Sequence, residues 1–427
     1  MIIKSIIELP NKSFFNHSFV THSAGAGLGV HIINEATWFI DIKKAAKAVA
    51  GSKTAFVDLE MLPTEYQLPA ALAIFKNMYS LQRHKTGKKA ETQLYIVKQY
   101  ETVGLLKSLV LGSDIATEPA NKMYPQKVCE RVRDIFSNGR RLLGHISVNV
   151  KWLDEKEIVK QGLNLVYAVG KGAQRPPRFL TIEIVNDSRR GEDPIALVGK
   201  GVVFDSGGYN IKSGPGMTSM KGDKTGAGIA ISIMHYFASS ANAPNMIAVI
   251  PLVENLVSHK AYKVGDIYKA YNGKTVEILN TDAEGRLIMA DALAYISKNY
   301  KPRLVLDFAT LTGWANILHC DTSFVFFTTN DRLGKMIERN GDKTGERSIR
   351  LPNWPEYASY TKSDIADYKN VNFECGRSDG FMASMFLMNF VTDPANWVHF
   401  DVTHNTNAFN MHYVNSAATA IKLISKL

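Results

Sequence analysis

Strand-length apolar runs alternate with helical segments along the second half of the chain, and this alternation limits the fold more than any other feature. Strands are predicted at 195–201, 246–255, 303–313, 324–331 and 397–403, and helices at 227–237 and 286–300. These runs lack the strict two-residue alternation of a sheet with one solvated face, which indicates strands buried on both faces. The sequence therefore predicts an α/β fold with a central mixed sheet covered by helices on both faces.

A smaller unit is predicted before this sheet. The chain has 427 residues, a length that favours two or three domains. Apolar runs at 55–62 and 93–100 and a helical stretch at 42–51 predict a small N-terminal α/β domain over residues 1–100. A polar, basic segment at 81–92 is typical of an exposed loop and precedes the boundary. The larger domain is predicted over residues 101–427.

The composition is that of a folded globular protein. Hydrophobic residues make up 45% and charged residues 21% of the chain, which excludes a disordered or fibrous protein. No apolar run approaches the roughly 20 residues needed to cross a bilayer. The N-terminal apolar stretch is interrupted by Lys4, Glu8 and Pro10, which is unlike a secretory signal. We therefore expect no membrane association.

The three cysteines stand far apart, at Cys129, Cys320 and Cys375. This spacing predicts neither a disulfide framework nor a thiolate metal site, and it favours a reducing compartment such as the cytoplasm. Lys and Arg total 50 against 40 Asp and Glu, so the formal charge is +10. Such an excess is compatible with a polyanionic partner or with an enzyme that has a basic surface.

Two segments at predicted strand ends carry an unusual density of charged residues. In α/β sheets, ligands bind beyond the carboxyl ends of the strands, so these segments are the candidate site. The first spans 199–228 and the second 280–287, and their charged residues include Lys200, Asp205, Lys212, Asp223, Asp282, Glu284 and Arg286. If the second segment is extended, the alternate positions of its Asp, Glu and Arg put these side chains on one face.

Each segment alone has an ordinary explanation, as a glycine-rich turn or as a solvated loop before a helix. Together they bring three Asp and one Glu next to apolar strands. So many carboxylates require compensating cations in a buried cleft, and two divalent ions would balance four carboxylates. The residues therefore favour a site for two metal ions.

These segments resemble the signature motifs of the leucyl aminopeptidase family of dinuclear metallopeptidases. The similarity rests on NTDAEGRL (280–287), GKGVVFDSGGYNIK (199–212) and MKGDKTGAG (220–228). It extends from about residue 105 to 403 through EPANKMYP (118–125), IPLVENLVS (250–258), DFATLTG (307–313), PNWPEY (352–357) and WVHFD (397–401). The string NTDAEGRL is highly specific.

The resemblance implies a metal-dependent aminopeptidase that cleaves N-terminal residues from peptides with a water molecule activated between two metal ions. It implies that one metal is held by Lys200, Asp205, Asp223 and Glu284, and the other by Asp205, Asp282 and Glu284. Zn, Mn, Mg and Co all suit these ligands. It further implies that Lys212 stabilises the oxyanion and that Arg286 holds a bicarbonate ion. A lysine ligand must be neutral, so either a metal ion or a low-dielectric pocket has to depress the pKa of Lys200.

The pocket for the first substrate side chain departs from the family. Family pocket positions are kept at Met220, Thr310 and Gly313, whereas Thr403 and Thr406 replace Ala and Met. This predicts a more polar pocket and makes a preference for leucine uncertain. Three further differences have no assigned role: Lys224 in place of Met, His404, and Trp314, which suits core packing as well as a pocket.

The resemblance also implies assembly as a homohexamer. An alternative is a catalytically silent or secondary role in nucleic-acid binding, since some relatives bind DNA and the chain is basic. The basic runs at 83–89 and 140–141 are short and lack interleaved aromatic residues, and no predicted metal ligand is missing. The sequence therefore favours the peptidase.

Overall fold

The structure is a computed structural model. It describes residues 2–6, 20–22, 27–28, 54–57, 59, 62, 64–79, 93–97, 100–137, 144–319, 323–373, 379–402 and 412–427. The segments 42–51 and 81–92 lie wholly outside these ranges, as do Thr403, His404 and Thr406.

The described strands are β1 Ile2–Ile6, β2 Val20–His22, β3 Gly27–Leu28, β4 Thr54–Val57, β5 Gln93–Val97, β6 Ile146–Leu153, β7 Arg178–Asn186, β8 Ile195–Gly199, β9 Gly201–Asp205, β10 Met246–Asn255, β11 Ile267–Lys269, β12 Thr275–Glu277, β13 Leu304–Ala309, β14 Phe324–Phe327, β15 Ser348–Leu351, β16 Tyr368–Lys369 and β17 Trp397–Asp401. The described helices are α1 Thr64–Met78, α2 Tyr100–Thr117, α3 Pro125–Ser137, α4 Glu155–Gln161, α5 Asn164–Gly170, α6 Gly214–Met217, α7 Thr225–Ala238, α8 Glu284–Tyr300, α9 Gly313–His319, α10 Asp331–Thr344, α11 Asp379–Met388 and α12 Ala417–Ile424.

A mixed sheet forms the centre of the larger domain. Its order is β15-β14-β17-β13-β8-β10-β7-β6, and β9 pairs with β10. The middle strands β17, β13, β8 and β10 run parallel, while β7 and β6 at one side and β14 beside β17 pair in antiparallel fashion. The predicted central mixed sheet is therefore confirmed.

Helices bury both faces of this sheet. In β8, Ile195 and Leu197 point into one apolar cluster and Ala196 and Val198 into another. Helix α7 packs in the first cluster, together with α2, and helix α8 packs in the second, together with α5. Successive side chains in a strand point to opposite faces, so every side chain of a strand buried on both faces lies in an apolar layer. This explains the continuous apolar runs in the sequence.

The predicted element boundaries are right to within a few residues. Helix α8 begins two residues before its predicted start, and the strand predicted at 324–331 ends at Phe327. Asn330 explains the early end, because its side chain accepts a hydrogen bond from the backbone N–H of Leu333 at 3.1 Å and caps α10.

The N-terminal part contains a separate five-stranded sheet with the order β1-β5-β4-β2-β3. Side chains from β5 and α1 join the apolar cluster that also contains residues of α2 and α7. The predicted domain boundary at residue 100 coincides with the start of α2, and the division into two domains stays a prediction. None of the described helices is both long enough and apolar enough to cross a membrane.

Candidate metal centre

The candidate site begins with a break in one strand. Strands β8 and β9 both pair with β10 and are separated only by Lys200. At this break the backbone N–H of Lys200 donates to the carbonyl of Phe308 in β13 at 2.9 Å, and its own carbonyl accepts from Ala227 in α7. The chain therefore turns away from β13 at Lys200, which lies among the buried residues at the carboxyl ends of the parallel strands.

Asp205 ends β9 and is followed by a turn whose backbone conformation favours glycine. Gly207 and Gly208 have φ angles of +86° and +60°, the left-handed region that favours glycine. A Cβ atom on Gly207 would lie 2.9 Å from Oδ1 of Asp282, so this turn brings the two motifs into contact. The carboxylate of Asp205 accepts hydrogen bonds at 2.8 Å from the N–H of Gly207 and from Nδ2 of Asn255.

Asp223 follows a short 3-10 helix, Met220–Gly222, and precedes α7. Its Oδ1 accepts a hydrogen bond from the hydroxyl of Thr310 at 2.7 Å and lies 2.8 Å from Nζ of Lys200. Thr310, predicted to line the substrate pocket, thus also orients a predicted metal ligand. Its carbonyl accepts a further hydrogen bond from Lys200 at 2.8 Å.

The second motif is not extended as the alternate spacing suggested. Asp282 lies in a turn, and Glu284 is the first residue of α8, so Glu284 and Arg286 belong to a helical turn. The expectation of three side chains on one extended face is therefore wrong. Gly285 has a steric role here, because a Cβ atom at this position would lie 2.4 Å from Cε and 2.7 Å from Nζ of Lys200. The missing side chain lets Lys200 pack against the start of α8.

Two lysines lie among the four carboxylates. Nζ of Lys200 is 2.8 Å from Asp223 and 3.0 Å from Glu284, whereas Nζ of Lys212 is 2.9 Å from Asp205 and 2.5 Å from Asp282. If every group is ionised, four negative charges face two positive charges. The cluster therefore has an unbalanced negative charge, which a bound cation would stabilise.

The pKa values of the acids reflect this crowding. Burial raises the pKa of Asp223 to about 7, although Lys200 opposes the shift. Burial, and then repulsion from Glu284 and Asp223, raises the pKa of Asp205 well above its ordinary value. At Glu284 burial acts in the same direction, but Lys200 and Lys212 outweigh it and lower the pKa. The four carboxylates are thus only partly neutralised by the two lysines.

The buried pocket alone does not make Lys200 neutral. Burial lowers its pKa, but the carboxylates of Asp223, Glu284 and Asp205 outweigh this effect and raise the pKa above its ordinary value. Of the two causes that could depress the lysine pKa, a low-dielectric pocket and a metal ion, the pocket alone is therefore not sufficient. Ligation by Lys200 requires that a metal ion displace the proton, which couples metal binding to proton release.

The geometry of the acids suits divalent ions. Asp205, Asp223 and Glu284 each offer a carboxylate oxygen, and these atoms all lie within 4.8 Å of one another. Within the described part of the chain, Oδ2 of Asp223 and Oε2 of Glu284 are buried without a hydrogen-bond partner. Buried carboxylate oxygens rarely lack partners, and ligation would satisfy both. The donor set is oxygen-rich with one amine, which fits Zn, Mn, Mg or Co.

A cleft of about 190 Å³ opens onto this cluster. The residues lining it are Lys200, Asp205, Lys212, Ser219, Met220, Gly222, Asp223, Asp282, Glu284, Thr310, Leu311, Thr312, Gly313 and His412. It thus contains the five predicted ligands, Lys212 and the three predicted pocket residues that the structure describes. Thr403 and Thr406 lie outside the described residues.

Arg286 is not among the described residues that line the cleft. Its side chain is 1% exposed, with Nη2 donating to Oδ1 of Asp379 at 2.7 Å and Nη1 to the carbonyl of Asn370 at 2.8 Å. Its guanidinium therefore already carries a carboxylate partner. The sequence motifs contained no signal for Asp379, which lies far along the chain on α11.

His412 is a second residue that sequence reasoning missed. Its ring lies directly against Gly222, where a Cβ atom would come within 2.0 Å of Cε1. The hydroxyl of Thr117 fixes the backbone here by donating to the His412 carbonyl at 2.9 Å. Trp314, in contrast, is half-buried and packs against the ring of Phe381 with centroids 5.3 Å apart.

Comparison with known proteins identifies the family to which this protein belongs. The profile of the cytosol aminopeptidase family, catalytic domain, matches residues 111–424. A protein of Nitrobacter winogradskyi described as a probable cytosol aminopeptidase is 35% identical over 367 residues, covering 82% of this chain and 71% of that protein. One of Rhodopseudomonas palustris, with the same description, is 33% identical over 415 residues, covering 91% and 80%.

Among solved structures, the leucine aminopeptidase of Caenorhabditis elegans matches with a TM-score of 0.81 and 27% identity, covering 93% of this chain and 82% of that one. Fold and relatives together define a metal-dependent aminopeptidase. This chain belongs to the cytosol aminopeptidase family.

Proposed function

We propose that this enzyme removes amino-terminal residues from peptides by using two divalent metal ions. Lys200, Asp205, Asp223 and Glu284 would hold one ion, and Asp205, Asp282 and Glu284 the other. The observation that carries the proposal is the cluster of four carboxylates and two lysines that lines a cleft, with Lys200, Asp205, Asp223 and Glu284 buried. When bound, the ions would supply Lewis-acid polarisation of the scissile carbonyl and lower the pKa of a water molecule.

The chain's own residues would bind and orient the peptide. Lys212 is 17% exposed at its side chain and faces the cleft, where its ammonium can stabilise negative charge that develops on the carbonyl oxygen. Thr310 and Asn255 hold the carboxylates of Asp223 and Asp205 in place through hydrogen bonds. Such support of the ligands fixes their orientation before substrate binds.

Arg286 would place an anion near the start of α8. The proposal that this anion is bicarbonate has to include Asp379, because the carboxylate of Asp379 already pairs with the guanidinium. Bicarbonate would share or replace that partner. Nε of Arg286 is buried without a hydrogen-bond partner among the described residues, so at least this N–H donor of the guanidinium is left for an additional oxygen.

The substrate pocket would contact the first side chain through Met220, Thr310 and Gly313, which line the cleft. Thr403 and Thr406 would add hydroxyl groups and shift the preference away from large aliphatic residues.

Assembly as a homohexamer and a location in the cytoplasm stay predictions. Size-exclusion chromatography with light scattering tests the assembly. The basic charge alone supports the nucleic-acid alternative, which the comparisons do not favour.

The decisive test is hydrolysis of aminoacyl-amides by the purified protein after chelation and after refilling with manganese or zinc. We expect chelation to abolish hydrolysis and refilling to restore it. An N-acetylated peptide should resist cleavage. Glu284→Gln should be inactive at every metal concentration, whereas Glu192→Gln, at an exposed site, should match the wild type. Activity that persists without metal would contradict the proposal.

A further inference from the structure

Lys224 is a completely buried cation next to a predicted metal ligand. Its side chain is 0% exposed, although lysine is almost never fully buried without compensation. Nζ donates to three main-chain carbonyl groups: that of Glu118 at 2.8 Å, that of Ala116 at 3.2 Å, and that of Lys221. We call these three acceptors the carbonyl cluster.

The backbone position of Lys224 does not favour a lysine. It is the N-cap residue of α7, where Ser, Thr, Asp or Asn are preferred and a positive charge is unfavourable. Its side chain instead reaches the C-terminal end of α2, where a cation is favourable and the last carbonyl groups lack helical partners. Helix α2 has no basic residue in its own last turn. Lys224 supplies that charge from another part of the chain.

The geometry requires the protonated side chain. Three carbonyl oxygens facing one nitrogen need three N–H donors, and only the ammonium has three. Burial, and then repulsion from Lys221, opposes the charge and lowers the pKa of Lys224 to about 7. The negative charges of Glu118 and Asp223 act in the opposite direction and favour the ammonium form.

The carbonyl cluster joins the end of α2 to a segment that carries residues of the cleft. Ala116 and Glu118 lie at the end of α2. Lys221 lies in the 3-10 helix that leads from Met220, a cleft residue, to Asp223. The hydroxyl of Thr117, between the two α2 acceptors, holds the backbone of His412, another cleft residue. The end of α2 is thus the support against which this side of the cleft is built.

We propose that Lys224 is a positioning residue whose ammonium joins the end of α2 to the turn carrying Asp223 and so holds Asp223 ready to bind metal. The inference rests on the proposed metal centre. It assigns a role to a residue for which the sequence motifs gave none. Removal of the ammonium would leave three buried carbonyl oxygens facing a cavity, and the turn would lose its fixed position.

The test combines metal binding with chemical rescue. Manganese binding to metal-free wild type, Lys224→Ala and Lys224→Met is measured by isothermal titration calorimetry, together with kcat, KM and urea unfolding. We expect both variants to bind one manganese equivalent about 10- to 100-fold more weakly, the range found when residues supporting metal ligands are changed. We expect kcat to fall more than KM rises.

Chemical rescue by small ammonium ions distinguishes a positioning role of Lys224 from a general loss of stability. Ammonium or methylammonium chloride should restore manganese affinity in Lys224→Ala, because these ions can occupy the cavity and donate to the carbonyl cluster. Choline chloride at equal ionic strength should not. Val169→Ala, buried in α5 on the other face of the sheet, is the matched control and should lower stability without changing manganese affinity.

Unchanged manganese affinity in both Lys224 variants would overturn the inference, and so would equal effects of ammonium and choline. If Lys224→Ala does not fold, Lys224→Met carries the binding test. Failure of the proposed function can be told apart from failure of this inference. In that case the wild-type protein would bind manganese but hydrolyse no aminoacyl-amide. Weakened binding in the Lys224 variants would still support positioning in that case.

Discussion

Arg286 and Asp379 form an ion pair in which Nη2 lies 2.7 Å from Oδ1, with the guanidinium buried and the carboxylate 41% exposed at its side chain. The pair joins the start of α8, which carries Glu284, to the start of α11. A buried guanidinium needs a counterion, so the carboxylate and an added anion compete for the same cation.

Asp379→Asn should therefore make the enzyme dependent on bicarbonate. We expect activity in degassed, bicarbonate-free buffer to fall at least tenfold and to recover on addition of bicarbonate, while the wild type responds less. Loss of the charge should also cost about 1–2 kcal/mol of stability, less than for a fully buried pair because water reaches Asp379. Initial rates against bicarbonate concentration check this. Equal responses of both proteins would count against a shared site.

Lys200 balances Asp223 and Glu284 when no metal is bound. Lys200→Met should destabilise the metal-free protein by about 3–5 kcal/mol, because it leaves buried carboxylates without a cation. Urea unfolding in the presence of a chelator, at about pH 8, measures this. Lys156→Met, at an exposed helix position, should change the free energy of unfolding by less than about 0.5 kcal/mol. Similar losses in both variants would remove the charge-balance argument.

The sequence predicted the central sheet because strands buried on both faces leave long apolar runs, as in β10, where every residue is buried. The candidate ligands were predicted because the motifs are local. The sequence did not predict the residues from distant segments that contact the candidate site. Asp379 and His412 lie about 90 and 190 residues from Arg286 and Gly222, and neither stands in a motif. The sequence left open whether a pocket or a metal ion would depress the pKa of Lys200, because the net effect of burial and three carboxylates depends on distances that spacing does not give.

Asp291 provides a test of pH dependence away from the metal centre. This buried residue of α8 caps α5 by accepting hydrogen bonds from the backbone N–H groups of Leu165 and Val166, and it also accepts one from Tyr271. Burial raises its pKa to about 7 despite these hydrogen bonds. The carboxyl group of Asp291 therefore binds a proton more tightly in the folded state than in the unfolded state, where the pKa of an aspartate is near 3.9.

It follows that Asp291 contributes stability below about pH 4 that is lost as the pH rises through 7. A single group changes the free energy of unfolding by at most about 1.4 kcal/mol per pH unit. Asp291→Asn should remove this slope between pH 4 and 7, although its total stability also falls because Nδ2 cannot accept a hydrogen bond. Urea unfolding of both proteins across that range gives the difference. Parallel curves would show that Asp291 does not titrate there.

Gly222 and His412 should be energetically coupled, because the imidazole occupies the space of a Cβ atom at residue 222. Gly222→Ala forces the ring to move and should cost about 1–3 kcal/mol through overpacking. It should also lower kcat/KM, since both residues line the cleft beside Asp223. In the His412→Ala background the added methyl group meets no ring, so the same substitution should cost far less. A double-mutant cycle in unfolding free energy and in kcat/KM measures the coupling, and strictly additive effects would show that the ring lies elsewhere in solution.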